Sequence, residues 1–349
     1  MILVKADNYS IEIGNLEKSS FSKLLKDYSS AKKVILVDEN THDYCLEFLI
    51  TQFDTLEEAE VILLPTGEEN KVMEVCFQVW EAMSEYNISR NDLIINLGGG
   101  VVTDMGGFIA SIYKRGVNFV HIPTSLLGMV DASIGGKTGV DLGSYKNQLG
   151  VFSNPLAIYV DARFLSTLPE DELNNGKAEM LKHGFIANKS HWEALLKSNL
   201  EITEALIVES IQIKNEIVLS DPKEKDKRKL LNFGHTVGHA LEGYFLYQSK
   251  IAHGRAVAWG MVIEANIAKN LNLISQKELD ELTNIITTNY EPLMIEKDAI
   301  ESVFQLMKQD KKNRENQIRC VLPTEIGKGK WDITIQLEDF QKAIMSFTK

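Results

Sequence analysis

Short, unbroken aliphatic runs, each halted by a residue that ends strands, are what most constrain the fold of this chain. Val34-Ile35-Leu36-Val37 stops at Asp38, and Val61-Ile62-Leu63-Leu64 at Pro65-Thr66-Gly67. Leu93-Ile94-Ile95-Asn96-Leu97 runs into Gly98-Gly99-Gly100, and Phe119-Val120-His121-Ile122 ends at Pro123. Runs of this kind suit strands buried on both faces, as in a parallel sheet. The segments between them, such as Met73 to Tyr86, carry apolar residues at helical spacing. The alternation predicts a Rossmann-like doubly wound α/β domain with ligands at the carboxyl ends of its strands.

From about Asp171 the pattern changes. Glu172–Ile186, His191–Leu196, Ile202–Leu219, Leu230–Phe245 and Ala256–Leu271 each read as a helix; the one later strand-like run, Ile318–Leu322, reads as a hairpin or an irregular segment. A length of 349 residues suits two domains. The expected division is an α/β domain over residues 1–165 and an all-α domain over 166–349, with a cleft between them.

A net charge of -12 argues against nucleic acid or an anionic membrane as partner, so a cluster of basic residues points to a local anion. Cys45, Cys76 and Cys320 are scattered, as in a reducing compartment, and no apolar run is long enough to span a bilayer. A cytoplasmic location is the default expectation.

Gly98-Gly99-Gly100-Val101-Val102-Thr103-Asp104-Met105-Gly106-Gly107 follows a predicted strand and opens a helix. Glycines there permit close backbone approach, and a helix N-terminus offers free N–H groups to a pyrophosphate. The stretch departs from G-x-G-x-x-G because Thr103 stands at the third glycine, so a tight structural turn remains the alternative. Thr66-Gly67-Glu68-Glu69-Asn70-Lys71 is a second polar loop at the same sheet edge, and Asp38 is placed to accept from ribose hydroxyls. Together these favour a nicotinamide dinucleotide. Gly135-Gly136-Lys137-Thr138 is no P-loop, since Asp131 occupies the first glycine position. Lys137 and Lys146-Asn147 read instead as donors to a phosphate or carboxylate, against the plainer reading of solvated lysines.

His235 and His239, in Gly234-His235-Thr236-Val237-Gly238-His239, share one helix face, and His253 follows among only seven histidines. A joint zinc pair of the H-E-x-x-H kind and an acid–base site are both open on spacing alone.

These motifs, taken with others, resemble 3-dehydroquinate synthase within the sugar-phosphate cyclase superfamily. The match runs through Gly67–Lys71, Gly98–Asp104, Tyr113–Gly116, Ile122–Leu127, Val130–Thr138 and Lys146-Asn147. It continues in Ala178–Gly184, Leu231–Ala240, His253-Gly254 and Asp310-Lys311-Lys312. The resemblance implies NAD, one divalent metal (zinc or cobalt) and a phosphorylated keto acid, 3-deoxy-D-arabino-heptulosonate 7-phosphate, held by an N-terminal NAD-binding domain and a C-terminal metal- and substrate-binding domain. By motif, the metal ligands are Glu179, His235 and His253. His239 then lies near the phosphate with Asn147. Asp131, Lys137, Lys182, Arg228, Asn232, Lys214, Lys146, Arg115 and one of Lys311 and Lys312 hold substrate. NAD contacts carry over to Asp38, Thr66 to Lys71 (including Glu68, Glu69 and Asn70), Gly100 to Asp104 (including Val101 and Val102), Thr124, Ser125, Lys137, Lys146 and Phe164 to Thr167 (including Leu165 and Ser166). The resemblance also implies a homodimer in which Arg115 enters the neighbour's site.

Three departures bear on loop geometry: Arg255 follows His-Gly where Glu is frequent, Pro222 follows Asp221, and Gln148 follows Lys-Asn. Rival readings are a metal-dependent polyol or glycerol dehydrogenase, a sister cyclase making 2-deoxy-scyllo-inosose or a valiolone, and a non-catalytic NAD-binding module. The basic set counts against the first, since six Lys and Arg in a chain of this charge suit a doubly anionic substrate.

Overall fold

The computed structural model describes residues 1–143, 145–246, 248–308 and 317–348. Its contacts divide the chain into two compact units, Met1–Leu173 and Asn174–Lys349, against the boundary near residue 165 expected from sequence.

The first unit is built on a seven-stranded sheet of β1 (Ile2–Lys5), β2 (Ser10–Ile13), β3 (Lys33–Asp38), β4 (Glu60–Leu64), β5 (Leu93–Gly98), β6 (Asn118–Pro123) and β9 (Ala157–Val160), in the order β1-β2-β9-β6-β5-β3-β4. The pair β1–β2 is antiparallel and the other pairings are parallel. The four aliphatic runs form β3 to β6, and Val34 to Val37 and Leu93 to Ile95 are fully buried. The remaining strands of this sheet are four residues each, too short to stand out by pattern. Helices α1 (Phe21–Asp27), α2 (Met73–Glu85) and α3 (Gly100–Ile112) belong to this unit. Strand order reverses at β3, which pairs with β4 on one side and β5 on the other. The crevice beyond the carboxyl ends of β3 and β5 is therefore a topological switch point, where doubly wound sheets bind ligands. A separate antiparallel hairpin, β7 (Lys137–Leu142) with β8 (Tyr145–Phe152), follows Gly135 and Gly136, both at positive φ. Gly136-Lys137 thus enters a strand, the wrong element for a P-loop.

Helix α3 lies close to its strands because Gly106 and Gly107 lack a side chain. A Cβ on Gly106 would collide with Asn96 of β5, and one on Gly107 with Thr138 of β7. Close helix–strand packing is the task of the third glycine in a dinucleotide fingerprint, and here it falls further along the helix, beyond Thr103. Asn96 cannot easily yield, since it is fully buried and bonded through Nδ2 to His121 Nδ1 at 3.1 Å. Gly106→Ala gains up to about 1 kcal/mol of helix propensity, but overpacking a filled core costs about 1–3 kcal/mol and dislodges Asn96 as well. A net loss of about 1–2 kcal/mol is expected by chemical denaturation; an unchanged midpoint would show that Asn96 swings aside.

The second unit is helical: α4 (Glu170–Ala187, entering from the first unit), α5 (Lys189–Lys197), α6 (Glu204–Ser220), α7 (His235–Phe245), α8 (His253–Asn270), α9 (Gln276–Asn289), α10 (Ile300–Lys308) and α11 (Leu337–Ile344). It is not all-α, because β10 (Ile318–Glu325) and β11 (Lys328–Ile335) form an antiparallel hairpin. The single helix expected over Leu230–Phe245 is also corrected. A 3-10 turn over Lys227–Asn232 precedes Gly234, whose left-handed φ of 79° ends one element and starts α7. Gly234 and Gly238 admit backbone rather than ligand: a Cβ on either would press on Val257 or Ala256 of α8, and a Cβ on Gly260 would strike the Gly234 carbonyl. No described helix is long and apolar enough to cross a membrane.

Candidate functional site

In the second unit three helices deliver one donor each. Glu179 sits inside α4 at 1% side-chain exposure, while His235 and His253 are the first residues of α7 and α8. Glu179 Oε1 lies 3.4 Å from His235 Nε2 and 3.6 Å from His253 Nε2. Two ligands at tetrahedral zinc distances stand roughly 3.3 Å apart, so this is the spacing of atoms that share one ion. The outer nitrogens are occupied: His235 Nδ1 faces the Phe233 carbonyl at 3.1 Å, and His253 Nδ1 faces Glu242 Oε1 at 3.3 Å. Acceptors at both Nδ1 atoms favour the tautomer that turns an Nε2 lone pair toward Glu179, the arrangement of metal-ligating histidines.

A proton competes with a cation for the same Nε2 positions. Burial opposes a charged imidazole at His253, but Glu242 and Glu179 outweigh it and push the group up to about 10. At His235 burial outweighs the pull of Glu179, with Lys182 adding to the fall, and its pKa is lowered. Two carboxylates therefore draw positive charge into a buried locus, which is what a cation site requires. Lys182, one turn along α4 and 1% exposed, bonds the other oxygen of Glu179. The residues present fit one divalent ion.

His239 stands one turn after His235, with ring centroids 5.3 Å apart, and 6.2 Å from the His253 ring. With Glu242 and His253 it forms a second set of donors close enough to hold an ion.

Beside these, Asp221 organises a tight loop. Its carboxylate accepts from the amides of Lys225 (3.0 Å), Asp226 (2.7 Å) and Arg228 (3.1 Å). Burial opposes its charge, but these donors hold it below the usual carboxylate range. The buried Arg228 donates to the Pro222 carbonyl at 2.8 Å, and Asn232 Nδ2 donates to Glu224 Oε1 at 2.7 Å. Pro222 is thus part of the loop that carries Arg228. Arg255 turns its guanidinium to Glu291, with its carbonyl 3.2 Å from Nε, and to the Pro292 carbonyl at 2.6 Å. That departure ties down a neighbouring segment. Lys214 is buried on α6. Lys311 and Lys312 lie outside the described residues.

In the first unit, Lys71 is buried with its Nζ 2.6 Å from Asp104 Oδ2 and 2.8 Å from Asn147 Oδ1. Burial opposes its charge, yet Asp104 and Glu68 prevail and raise its pKa. Asn147, at a positive φ of 51°, accepts this bond and donates its amide to Asp141 at 2.5 Å. Gly100, Val101, Val102 and Thr103 form the first turn of α3, and Thr103 Oγ1 bonds the Gly99 carbonyl at 3.1 Å. Thr124 and Ser125 are buried after β6, and a Cβ on Gly99 would stand 3.2 Å from Ser125 Oγ.

Thr66, Gly67, Glu68, Glu69 and Asn70 make a turn after β4, closed by Asn70 Nδ2 to the Thr66 carbonyl at 2.7 Å. Asp38 Oδ1 caps a short helical turn through the Thr41 amide at 2.8 Å. Lys137 and Lys146 are exposed on the hairpin, and Asp131 is half-buried. Phe164 is in the core against Phe48, their ring centroids 5.1 Å apart, whereas Ser166 and Thr167 face outward and Leu165 is half-buried. Arg115 is exposed in a turn where it and Lys114 both hold positive φ.

Besides Glu242, placed above against His253 Nδ1, two further residues were missed by sequence reasoning. Asn175 of α4, one turn before Glu179, accepts the Gly254 amide at 2.6 Å. Glu264 of α8, fully buried, accepts the amides of Gly234 (2.7 Å) and Val237 (3.1 Å). A lone acid inside the apolar run from Ala256 to Ala268 was the available signal, because an acid is almost never fully buried unless it is paired.

A doubly wound sheet with a glycine-rich helix start, and a helical unit with a carboxylate and two imidazoles aimed at one point, define a class of α/β-plus-helical enzymes. Residues 61–175 match the 3-dehydroquinate synthase N-terminal family and residues 176–313 the 3-dehydroquinate synthase C-terminal family. The chain belongs to the 3-dehydroquinate synthase family. It is 37% identical over 316 residues to the 3-dehydroquinate synthase of Parabacteroides distasonis, covering 89% of each chain. Its structure is similar to 2-epi-5-epi-valiolone synthase from Streptomyces hygroscopicus subsp. jinggangensis with NAD+ and Zn2+ bound, at a TM-score of 0.86 and 26% identity over 99% of this chain and 98% of that one. It also shares its fold with a 2-deoxy-scyllo-inosose synthase complexed with carbaglucose-6-phosphate, NAD+ and Co2+, at a TM-score of 0.83 and 23% identity over 99% of this chain and 100% of the other.

Proposed function

We propose that this protein is an NAD- and metal-dependent 3-dehydroquinate synthase, a phosphate-eliminating lyase acting on 3-deoxy-D-arabino-heptulosonate 7-phosphate. Family membership supplies the reaction, and the observation that carries the site is the convergence of Glu179, His235 and His253 with both outer imidazole nitrogens fixed. When bound, the cation supplies Lewis acidity to a substrate hydroxyl and the dinucleotide takes up and returns a hydride. Oxidation two carbons from the phosphate-bearing carbon acidifies the proton on the carbon between them, phosphate departs by β-elimination, and after re-reduction the opened ring closes by an aldol step.

The chain's own groups serve these steps. The Gly100–Asp104 turn and the loop from Thr66 to Lys71, together with Asp38, Thr124, Ser125, Lys137, Lys146 and the Phe164–Thr167 turn, bind the dinucleotide. Phe164 acts there through packing and its neighbours through backbone and outward side chains. Arg228, Asn232, Lys182, Lys214, Lys137, Asp131 and Asn147 hold the substrate's phosphate, carboxylate and hydroxyls. His239 handles protons beside the phosphate. Arg115, exposed in its left-handed turn, reaches the site of a second copy in a cytoplasmic homodimer.

The test supplies the seven-carbon keto acid phosphate with substoichiometric NAD and follows phosphate and reduced nicotinamide together. Many phosphates released per NAD with no build-up of NADH is the expected result. Stoichiometric NADH would indicate a polyol dehydrogenase, and turnover of other sugar phosphates instead would indicate a sister cyclase.

A further inference from the structure

The Phe233–Gly234 peptide group joins two hydrogen bonds, the one that fixes the outer nitrogen of His235 and a buried one to Glu264. Its carbonyl faces His235 Nδ1 at 3.1 Å, and its N–H donates to Glu264 Oε2 at 2.7 Å. Read in order, the chain of contacts is a carboxylate, an amide, an imidazole and then Nε2, which faces Glu179 Oε1 at 3.4 Å. The second oxygen of Glu264 accepts the Val237 amide at 3.1 Å, so the carboxylate also fixes the first turn of α7. Glu264 itself is fully buried, and the α7–α8 crossing that presents it is set by Gly234, Gly238 and Gly260.

We propose that Glu264 is a positioning residue for metal binding, acting on His235 through the Phe233–Gly234 peptide group. The proposal rests on the metal-site reading above. A carboxylate that accepts an amide N–H polarises that amide and makes its carbonyl a stronger acceptor. A stronger acceptor at Nδ1–H makes Nε2 a better electron-pair donor and holds the ring in the ligating tautomer. Many metal-ligating histidines donate directly to a carboxylate, as His253 Nδ1 faces Glu242 here. His235 would receive the same influence at one remove, so each imidazole would be backed by its own acid. The other helix clamp, Asn175 on the Gly254 amide, is neutral and fixes position without adding charge.

Cobalt(II) affinity is measured on the full-length protein at pH 8 by competition with a chelator, together with the ligand-field absorption spectrum and the unfolding midpoint of the metal-free protein. Glu264→Gln is expected to weaken cobalt binding about 10- to 100-fold, the range for loss of a group behind a ligating histidine, and to alter the spectrum; Glu264→Asp, which keeps the charge, restores part of both. Wild-type affinity and spectrum in Glu264→Gln would overturn the proposal, leaving Glu264 a helix cap only. Failure of the wild-type protein to bind cobalt would instead overturn the metal-site reading. Should Glu264→Gln not fold, nitrogen-15 histidine NMR of the zinc-loaded wild type decides: the His235 Nδ1 proton is expected down-field of an ordinary imidazole N–H bonded to a backbone carbonyl, as a strengthened acceptor requires, and an ordinary shift would overturn the proposal.

Discussion

Glu179→Gln is expected to lose its divalent ion on dialysis and to lose turnover by roughly a thousandfold or more, since Lewis-acid assistance is worth several kcal/mol and each 1.36 kcal/mol is tenfold in rate. The amide keeps the shape of a side chain that is 1% exposed, and removes the one carboxylate oxygen facing both imidazoles. It also breaks the buried ion pair between Glu179 and Lys182, each 1% exposed. Breaking a buried pair costs about 3–5 kcal/mol, so a lower unfolding midpoint should accompany the metal loss. The check is metal content by elemental analysis beside phosphate release. Full metal retention would remove Glu179 from the ligand set and leave the His239, Glu242 and His253 group as the site.

His239→Ala is expected to do the reverse, keeping the ion and losing the chemistry. A positioned acid–base group contributes about 10²- to 10⁴-fold, and that is the fall predicted for phosphate release, with metal content unchanged. Glu179 keeps its contacts to His235 and His253 in this variant, because neither passes through His239. Transient formation of NADH on mixing with substrate should survive, since oxidation precedes elimination. Loss of metal from this one variant would return His235 and His239 to the joint ligand pair that helical spacing suggests.

The parts legible in the sequence are those governed by local physics. Uninterrupted aliphatic runs gave β3, β5 and β6, because burial on both faces forbids polar alternation; β4 shows the same run although it is the edge strand and its Leu63 is 51% exposed. The glycines after Leu97 marked the start of α3 to within two residues. The break inside Leu230–Phe245 was less visible, because a left-handed Gly234 sits among residues that otherwise keep helical spacing. Glu264 and Asn175 were not legible as clamps. Each meets its amide across a long chain separation, and the amide belongs to backbone, which carries no sequence signature. The role of Gly106 was hidden for a related reason, since its partner Asn96 sits on a strand whose pattern alone gives no hint of how near the helix comes.

The scattering of the donors has a thermodynamic corollary. Glu179, His235 and His253 come from three helices and meet only when the second unit is folded. An ion that binds the folded chain and not the unfolded one adds RT ln(1 + [M]/Kd) to stability, about 2.7 kcal/mol at a hundred times the dissociation constant. Marginal stability is typically about 5–15 kcal/mol, so the free-ion concentration becomes part of what keeps this protein intact. Scarcity of the ion would then be felt as faster turnover of the protein by proteases as well as slower catalysis. With the proposed ligand set, the metal site would double as a gauge of metal supply, read by whatever degrades unfolded chains.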